Sequence, residues 1–353
     1  MNFTNKAIAI LGIITALGGL VVAARVTLHS SGNAQPSQTQ IPAGQRYSIV
    51  NLDTLNSRAS VAKKINNNDQ VVGFFNPNDS TQKAFIYSNG KMSEINSLKS
   101  RYNAATSINE NGEIVGVMTA NENYHAFFYK NGKTTDLGTL GGKSSDARSI
   151  NSKGQIVGFA DTSNDKAHAF LYSNGKKIDL GTFGGLNSYA NDINENGQVV
   201  GFAENRDRIP KAFLYSGGQK TDLGTLGGQS STANAINNQG QVVGVADTAN
   251  HQPQAFLYRN GKMMDLGTLG GQSSIANSIN NRGQVVGEAE NASRIPRAFL
   301  YSGDRMIDLN RVIPANSGWN LTSATDISDR GVIVGIGTYN GKTQAFQLTP
   351  FAR

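Results

Sequence analysis

Residues 189–231 read YANDINENGQVVGFAENRDRIPKAFLYSGGQKTDLGTLGGQSS, and this stretch contains the pattern of nearly the whole chain. Its Ala-Phe dipeptide occurs seven times, at steps of 42, 43, 43, 43, 43 and 47 residues. The phenylalanines are Phe85, Phe127, Phe170, Phe213, Phe256, Phe299 and Phe346. Short strand-like runs and glycine turns at this period match the roughly 40 to 45 residues of a four-stranded propeller blade. The sequence therefore predicts an all-β fold, a seven-bladed β-propeller of four-stranded repeats.

Within this repeat, residues 189–194, 198–203, 211–215 and 220–224 predict four strands. Gly197 ends a tight turn between the first two, at a position that needs positive φ. The third strand is apolar on both faces, which is typical of a sheet packed between two neighbours. The repeated Phe and Tyr side chains are accordingly predicted to form the core.

The two ends of the repeat region are predicted to share one blade. Residues 46–52 align with fourth strands, whereas residues 344–348 form a third strand with no fourth strand after it. The N-terminal strand should therefore complete the last blade and close the ring, which removes two exposed strand edges.

The N-terminal segment differs in composition from the repeats. Residues 7–24 are mostly apolar and are flanked by Lys6 and Arg25, so residues 1–28 predict a hydrophobic targeting helix, either a signal peptide or a signal anchor. Residues 29–45 predict a flexible linker, and residues 46–350 the propeller. This segment predicts an extracytoplasmic protein that is secreted or held at the membrane by residues 7–24. The absence of cysteine excludes a disulfide framework, so packing and strand pairing alone must hold the ring.

The formal net charge of +7 bears on partners rather than on the fold. The chain is expected to be exported and has no dense basic tract, so nucleic acid is not an expected partner. A polysaccharide or protein at the cell surface fits better, with anionic polysaccharide the best match to the charge.

Most polar motifs recur from copy to copy, which indicates structural roles. The turn asparagines Asn109, Asn151, Asn194, Asn237 and Asn280 are predicted to bond within their hairpins. The fourth-strand aspartates Asp136, Asp179, Asp222, Asp265 and Asp308 are predicted to bind neighbouring backbone amides. The Gly-rich strings lack the spacing and the following helix of a phosphate loop. His125 and His168 occupy equivalent places on successive blades, so no metal or other cofactor is predicted.

His125-Ala126-Phe127 and His168-Ala169-Phe170, with the Asp-Leu-Gly-Thr-Leu-Gly-Gly and Ile-Asn-x-x-Gly-Gln strings, resemble the bacterial extracellular repeats named after the His-Ala-Phe tripeptide. The similarity covers about residues 46–350. Five of the seven copies replace the His. The resemblance implies export and a repeat fold, and it carries no catalytic residues.

Two classes of function remain open. The first is a non-enzymatic binding or scaffold module that recognises a glycan, matrix polymer or protein through its variable second-to-third strand loops. The second is a carbohydrate-active enzyme, a hydrolase or lyase, with carboxylates at the central channel. The candidates for those carboxylates are Asp146, Asp192 and Asp326, and the lack of a catalytic constellation favours the first class.

The predicted ligand-binding residues are basic side chains of the variable face and one tryptophan. The basic residues are Arg206, Arg208, Lys211, Arg294 and Arg297, which stand beside Ile-Pro pairs on alternate blades. Regularly spaced cations suit a polyanionic chain, while a merely solvated basic rim is the alternative. Trp319 is predicted to lie in the connection between residues 310 and 321, where it either caps the last blade or stacks on a ligand.

Overall fold

The computed structural model describes residues 46–351. In this range the chain forms 28 β-strands, in seven antiparallel four-stranded sheets, and a short 3-10 helix, Leu309–Arg311. The first strand of the chain is β1 (Tyr47–Asn51). The fold is a seven-bladed β-propeller.

Blades 1 to 6 each consist of four consecutive strands. Blade 1 contains β2 (Ala59–Ile65), β3 (Val71–Asn78), β4 (Thr81–Ser88) and β5 (Lys91–Glu94), and blade 2 contains β6 (Asn103–Ile108), β7 (Ile114–Ala120), β8 (Asn123–Lys130) and β9 (Lys133–Asp136). Blade 3 contains β10 (Gly141–Ile150), β11 (Ile156–Thr162), β12 (Ala167–Ser173) and β13 (Lys176–Asp179), and blade 4 contains β14 (Gly184–Ile193), β15 (Val199–Asn205), β16 (Pro210–Ser216) and β17 (Gln219–Asp222). Blade 5 contains β18 (Gly227–Ile236), β19 (Val242–Thr248), β20 (Pro253–Arg259) and β21 (Lys262–Asp265), and blade 6 contains β22 (Gly270–Ile279), β23 (Val285–Asn291), β24 (Pro296–Ser302) and β25 (Arg305–Asp308).

Blade 7 draws its strands from both ends of the described range. It contains β26 (Trp319–Ile327), β27 (Ile333–Tyr339) and β28 (Lys342–Pro350), with β1 paired antiparallel to the outer edge of β28. Tyr47 lies opposite Pro350 and Asn51 opposite Phe346. Blade 7 thus has the same four-strand width as the other six.

The hydrophobic core consists of seven clusters, each formed by two adjacent blades. All seven repeated phenylalanines are 0% exposed, which confirms the prediction that they form the core. The cluster that joins blades 7 and 1 contains Val334, Leu52 and Phe85. Burial of apolar side chains between blades therefore extends around the whole ring.

Glycine is required at two positions of each typical repeat. Gly197 has φ +75° in the first-to-second strand turn, as predicted. Gly201 lies where a β-carbon would be 1.9 Å from the carbonyl oxygen of Tyr189, so only glycine allows the first two strands to approach. The first strands also begin earlier than the sequence pattern indicates. In the repeat quoted first, the pattern predicts a strand from residue 189, whereas β14 starts at Gly184.

The predicted targeting helix and linker, residues 1–45, lie outside the described residues. Between residues 46 and 351, no helix is long and apolar enough to cross a membrane.

Candidate functional site

The variable-loop face presents three of the predicted cations to solvent. Arg206, Arg208 and Arg294 are exposed, and in residues 46–351 their guanidinium groups make no ion pair or side-chain hydrogen bond. Arg208 and Arg294 hold the same place in two equivalent turns and share a left-handed backbone, with φ of +62° and +58°. These three residues remain available to a partner.

Both turns are fixed by an asparagine at their start. Asn205 Oδ1 accepts hydrogen bonds from the N–H groups of Asp207 and Ile209 at 3.0 and 2.9 Å. Asn291 Oδ1 does the same for Ser293 and Ile295, both at 3.0 Å. The side chain thus satisfies two backbone donors and makes the two loops rigid copies of each other.

Lys211 and Arg297 lie on third strands rather than in loops, and both contact the next blade. Lys211 Nζ donates to the carbonyl of Gln229 at 2.6 Å, and Arg297 bonds to the side chain of Asn320. These two predicted binding residues are therefore engaged in contacts between blades.

Trp319 begins strand β26 instead of lying in the preceding connection, which corrects its predicted placement. Its ring stacks on Tyr339, with centroids 4.9 Å apart and planes at 22°, and meets the edge of Phe346 at 6.0 Å. It is half-buried against the core between blades 6 and 7. This packing favours the capping role over ligand stacking.

The histidines of the His-Ala-Phe strings are paired within their own blades. Nδ1 of His125 lies 2.7 Å from Asp136 Oδ2, and Nδ1 of His168 lies 2.7 Å from Asp179 Oδ2. The other oxygen of Asp136 accepts the N–H of Gly138 at 2.7 Å, in line with the predicted bond to backbone. Over the described part of the chain, no group of three or more His, Cys, Asp or Glu side chains could hold a metal ion.

The turn-side mouth of the central channel is a cavity of about 230 Å³. One rim residue from each blade surrounds it: Asn67, Glu110, Ser152, Glu195, Asn238, Asn281 and Asp329. At six of the seven steps, the backbone N–H of a rim residue donates to the side-chain oxygen of the rim residue on the next blade, at 2.8–3.1 Å. The polar groups of this mouth therefore tie blade to blade.

A second set of bonds between blades lies deeper in the channel. We call the second residue before the repeated isoleucine of each first strand the latch position, which is occupied by Lys63, Thr106, Arg148, Asn191, Asn234, Asn277 and Thr325. In the five blades with Thr or Asn, this side chain donates to an alanine carbonyl of the next blade at 2.6–3.0 Å. Lys63 and Arg148 make no such bond in the described structure.

Two of the three predicted channel carboxylates also connect blades. Asp192 accepts from Ser149 at 2.6 Å and from the Ile236 N–H at 3.0 Å, and so joins blades 3, 4 and 5. Asp326 accepts from Ser278 at 2.5 Å and from the Ile65 N–H at 2.8 Å, which joins blades 6, 7 and 1. Both carboxylates have their hydrogen-bond partners in the protein.

Lys64 adds an ion pair to Asp326, with Nζ 3.2 Å from Oδ1. Burial by itself lowers the pKa of Lys64, but Asp326 and Asp192 outweigh that effect and raise the pKa above its usual range. Lys64 therefore stays protonated and supports the joint between blades 7 and 1.

Asp146, the third predicted carboxylate, has a different environment. It is 7% exposed, and its Oδ1 is buried without a hydrogen-bond partner. Burial raises its pKa to about 6, although the positive charges of Arg148 and Lys63 oppose this shift. In the described structure, the Asp146 side chain makes no hydrogen bond to a neighbouring blade.

An aromatic wall lies beside Asp146. Phe159, Tyr189 and Phe202 pack in sequence, with ring centroids 4.7 and 4.8 Å apart. The Arg148 guanidinium lies 5.0 Å from the Phe159 centroid and 5.3 Å from that of Tyr189, and it also bonds to Asn191. Together with Lys63 and Asp146, these residues form what we call the channel cluster.

Sequence reasoning about motifs did not find Lys63, Arg148 or the aromatic wall. The signal was present in the alignment of the repeats, because the latch column holds Thr or Asn in five copies and a cation in two. That residues at this position hold adjacent blades together is seen only in the structure, where Thr or Asn bonds to the next blade.

Comparison with known proteins supports the fold. A family model described as "Protein of unknown function (DUF3466)" matches residues 264–349, and no curated protein matches the chain. The β-propeller domain of the Trilobed protease from Pyrococcus furiosus, described as having an open velcro topology, is 11% identical with a TM-score of 0.56, over 83% of this chain and 94% of that one.

Two further structures are peptidases. A puromycin-hydrolyzing peptidase of Mycobacterium tuberculosis is 11% identical with a TM-score of 0.54, over 84% of this chain and 54% of that one. An acylaminoacyl peptidase of Pyrococcus horikoshii is 12% identical with a TM-score of 0.52, over 81% and 52%. The chain therefore spans about half the length of these two peptidases. Identities this low show a shared β-propeller fold and nothing about activity.

Proposed function

We propose that this protein is an exported, non-enzymatic binding or scaffold β-propeller that holds an acidic polysaccharide across its variable-loop face. The observation that carries the proposal is the set of three exposed, unengaged cations, Arg206, Arg208 and Arg294, on two loops fixed by equivalent asparagine bonds. A polyanion that contacts both loops gains from their simultaneous engagement, and ordering the loops costs little because they are already fixed.

Export is supported by the apolar segment at residues 7–24 and by the resemblance to His-Ala-Phe repeats. Membership in that repeat family is part of the proposal. The antiparallel pairing of β1 with β28 supports a further element, namely that the N-terminal strand fastens the ring.

The test is retention of the purified full-length protein on an immobilised acidic polysaccharide at low and at moderate salt. The variant Arg206→Gln/Arg208→Asn/Arg294→Asn removes three charges, and Asn tolerates the left-handed backbone of positions 208 and 294. We expect retention to fall at least tenfold at low salt, and the retention of the parent protein to weaken as salt screens the contact.

The matched control removes the same charge from the opposite face. The control sites are exposed lysines that begin fourth strands, directly after the third-to-fourth strand turns: Lys91, Lys133 and Lys176, each changed to Gln. This control should be retained like the parent. Equal loss in both variants, or none in the loop variant, would show that the variable face is not the binding surface.

A second candidate function has a specific observation in its favour. Asp146 on β10 and Glu288 on β23 are carboxylates that occur once each at their repeat positions, and burial raises the pKa of both. A glycoside hydrolase needs an acid and a base of this kind at a defined separation. Release of reducing ends from a polysaccharide by the parent, and its loss in Asp146→Asn and in Glu288→Gln, would identify an enzyme in place of a binding module.

A further inference from the structure

The channel cluster is unexpected because it departs from the bonding pattern of the other blades. At five latch positions a short polar side chain bonds to an alanine carbonyl of the next blade, whereas Lys63 makes no such bond and Arg148 bonds instead to the side chain of Asn191. Both cations are half-buried, and burial lowers the pKa of Lys63 to about 8. Placing unpaired charge in such an environment is costly. Arg148 keeps one contact with the next blade, through Asn191, and Lys63 keeps no such bond in the described structure.

The charges of the cluster favour an anion. Apart from burial, the pKa of Lys63 is raised by the charge of Asp146 and lowered by that of Arg148. Among charged groups, Asp146 also has the largest effect on the pKa of Arg148, which it raises. Two cations therefore share one carboxylate, which leaves an excess of positive charge in a half-buried wall. An incoming carboxylate would complete the pairing, and an amine would be repelled.

The cluster also contains a hydrogen-bond acceptor that needs a donor. Asp146 Oδ1 is buried and unpartnered. A buried acceptor of this kind is costly unless a donor reaches it. A carboxylate supplies no donor, so the ligand needs hydroxyl groups as well.

The aromatic wall defines the third feature of the ligand. Phe159, Tyr189 and Phe202 offer apolar ring surface next to the two charged groups. The C–H face of a sugar ring can pack on such a surface while its hydroxyls reach polar atoms at the edge.

We propose that the channel cluster binds a hydroxylated carboxylate, represented by a uronic acid, with the carboxylate between Lys63 and Arg148 and a hydroxyl donated to Asp146. This inference goes beyond the loop-face proposal, because it concerns a separate site and does not require a polymer to bind the loops.

The test is calorimetric titration and saturation-transfer NMR of the full-length protein with D-glucuronate and D-galacturonate. D-Glucose is the neutral control of the same ring size, and acetate is the anion without a ring. We expect saturable binding of at least one uronate, with glucose and acetate at least tenfold weaker. Absence of binding by both uronates, or binding of glucose as tight as that of the uronates, would overturn the proposal.

The repeats themselves supply matched variants. Arg148→Asn and Lys63→Thr introduce the residues found at sibling latch positions, where Asn191 and Thr106 bond to the next blade. We expect each to weaken uronate binding at least tenfold and to leave the thermal unfolding temperature unchanged or higher. Uronate affinity within twofold of the parent in the double variant would contradict the proposal.

Two further variants separate this site from the loop face. Asp146→Asn keeps the shape of the side chain but exchanges one acceptor oxygen for a donor, and we expect it to weaken binding about fivefold or more. The loop variant Arg206→Gln/Arg208→Asn/Arg294→Asn should bind the uronate like the parent. Loss of uronate binding in the loop variant would move the site out of the channel, whereas loss of polysaccharide retention alone would concern only the loop-face proposal.

Discussion

Two kinds of aspartate line the channel of this propeller, and they differ in what surrounds them. Asp192 and Asp326 each accept bonds from two neighbouring blades, and Asp326 also pairs with Lys64. Asp146 has a buried oxygen without a partner and two nearby cations. An aspartate on the first strand of a blade thus holds neighbouring blades together in two cases, and in the third it keeps an oxygen without a hydrogen-bond partner. In a repeat protein, a copy that lacks a structural bond present in the other copies indicates a functional site more specifically than the residue type does.

The largest expected effect comes from opening the ring, because bonds between blades act only while the blades stay adjacent. Deleting residues 1–54 removes β1 and exposes the edge of β28. We expect the thermal unfolding temperature to fall by more than 10 °C, a loss of several kcal/mol. Deleting residues 1–45 is the control and should leave unfolding unchanged. If both truncations melted alike, β1 would not fasten the ring.

The next effect separates the two kinds of aspartate directly. Asp326→Ala leaves the Ile65 N–H, the Ser278 hydroxyl and Lys64 without their partner, and we expect it to lower the free energy of unfolding by about 3 kcal/mol. Asp146→Ala removes no bond between blades and should cost less than about 0.5 kcal/mol. Urea unfolding of both variants at neutral pH measures the difference. Equal destabilisation would abolish the distinction on which the channel proposal depends.

A pH series sharpens the comparison at Asp146 itself. Its folded pKa of about 6 lies above the usual 3.8, so the folded state holds this proton more tightly than the unfolded state does. The contribution to stability is complete below about pH 4 and is lost as the pH rises through 6, up to about 3 kcal/mol for a shift of this size. The groups that face Asp146 are Lys63 and Arg148, which limit the effect.

Asp146→Asn should lack this decrease in stability between pH 4 and pH 7. The measurement is the difference in free energy of unfolding between the variant and the parent at each pH. A constant difference across the range would show that Asp146 titrates as an ordinary exposed carboxylate.

The smallest expected effect is a gain. Arg148→Asn exchanges the bond to Asn191 for the carbonyl bond that the sibling blades make, and it also removes a half-buried charge, so we expect about 0.5 to 1 kcal/mol of added stability at neutral pH. Lys63→Thr should act in the same direction, and its benefit should fade above about pH 8, where the lysine loses its proton. A loss of more than 1 kcal/mol in either variant would mean that the cations support the ring after all.

Much of the fold could be predicted from the sequence because its causes are local and repeated. Seven Ala-Phe strings indicate seven blades, the φ of +75° at Gly197 follows from turn chemistry, and the repeated phenylalanines are all buried. The turn asparagines also behave as predicted, since Asn151 Oδ1 accepts two N–H bonds within its hairpin. Its side-chain N–H reaches Asn194 on the next blade, which the hairpin pattern does not reveal.

The candidate site was predicted less completely, because its residues acquire their roles from other blades. Lys211 and Arg297 resemble Arg206 and Arg208 in sequence, yet the first two bond to adjacent blades and the last two face solvent. Trp319 packs on Tyr339 because β26 begins at Trp319 and its register with β27 sets the two residues opposite each other.

The sequence by itself determined the number of blades, the strands, the turns and the packed phenylalanine core, since each of these depends on periodicity and on preferences within a few residues. Only the tertiary structure decided which polar side chains form hydrogen bonds between blades and which remain free to bind a ligand. Lys63 and Asp146 are 83 residues apart along the chain and lie on non-adjacent blades, and closing the ring brings their charges into interaction. The carbonyl that each latch residue bonds belongs to the following blade, so its function is a property of the assembled ring rather than of any single repeat.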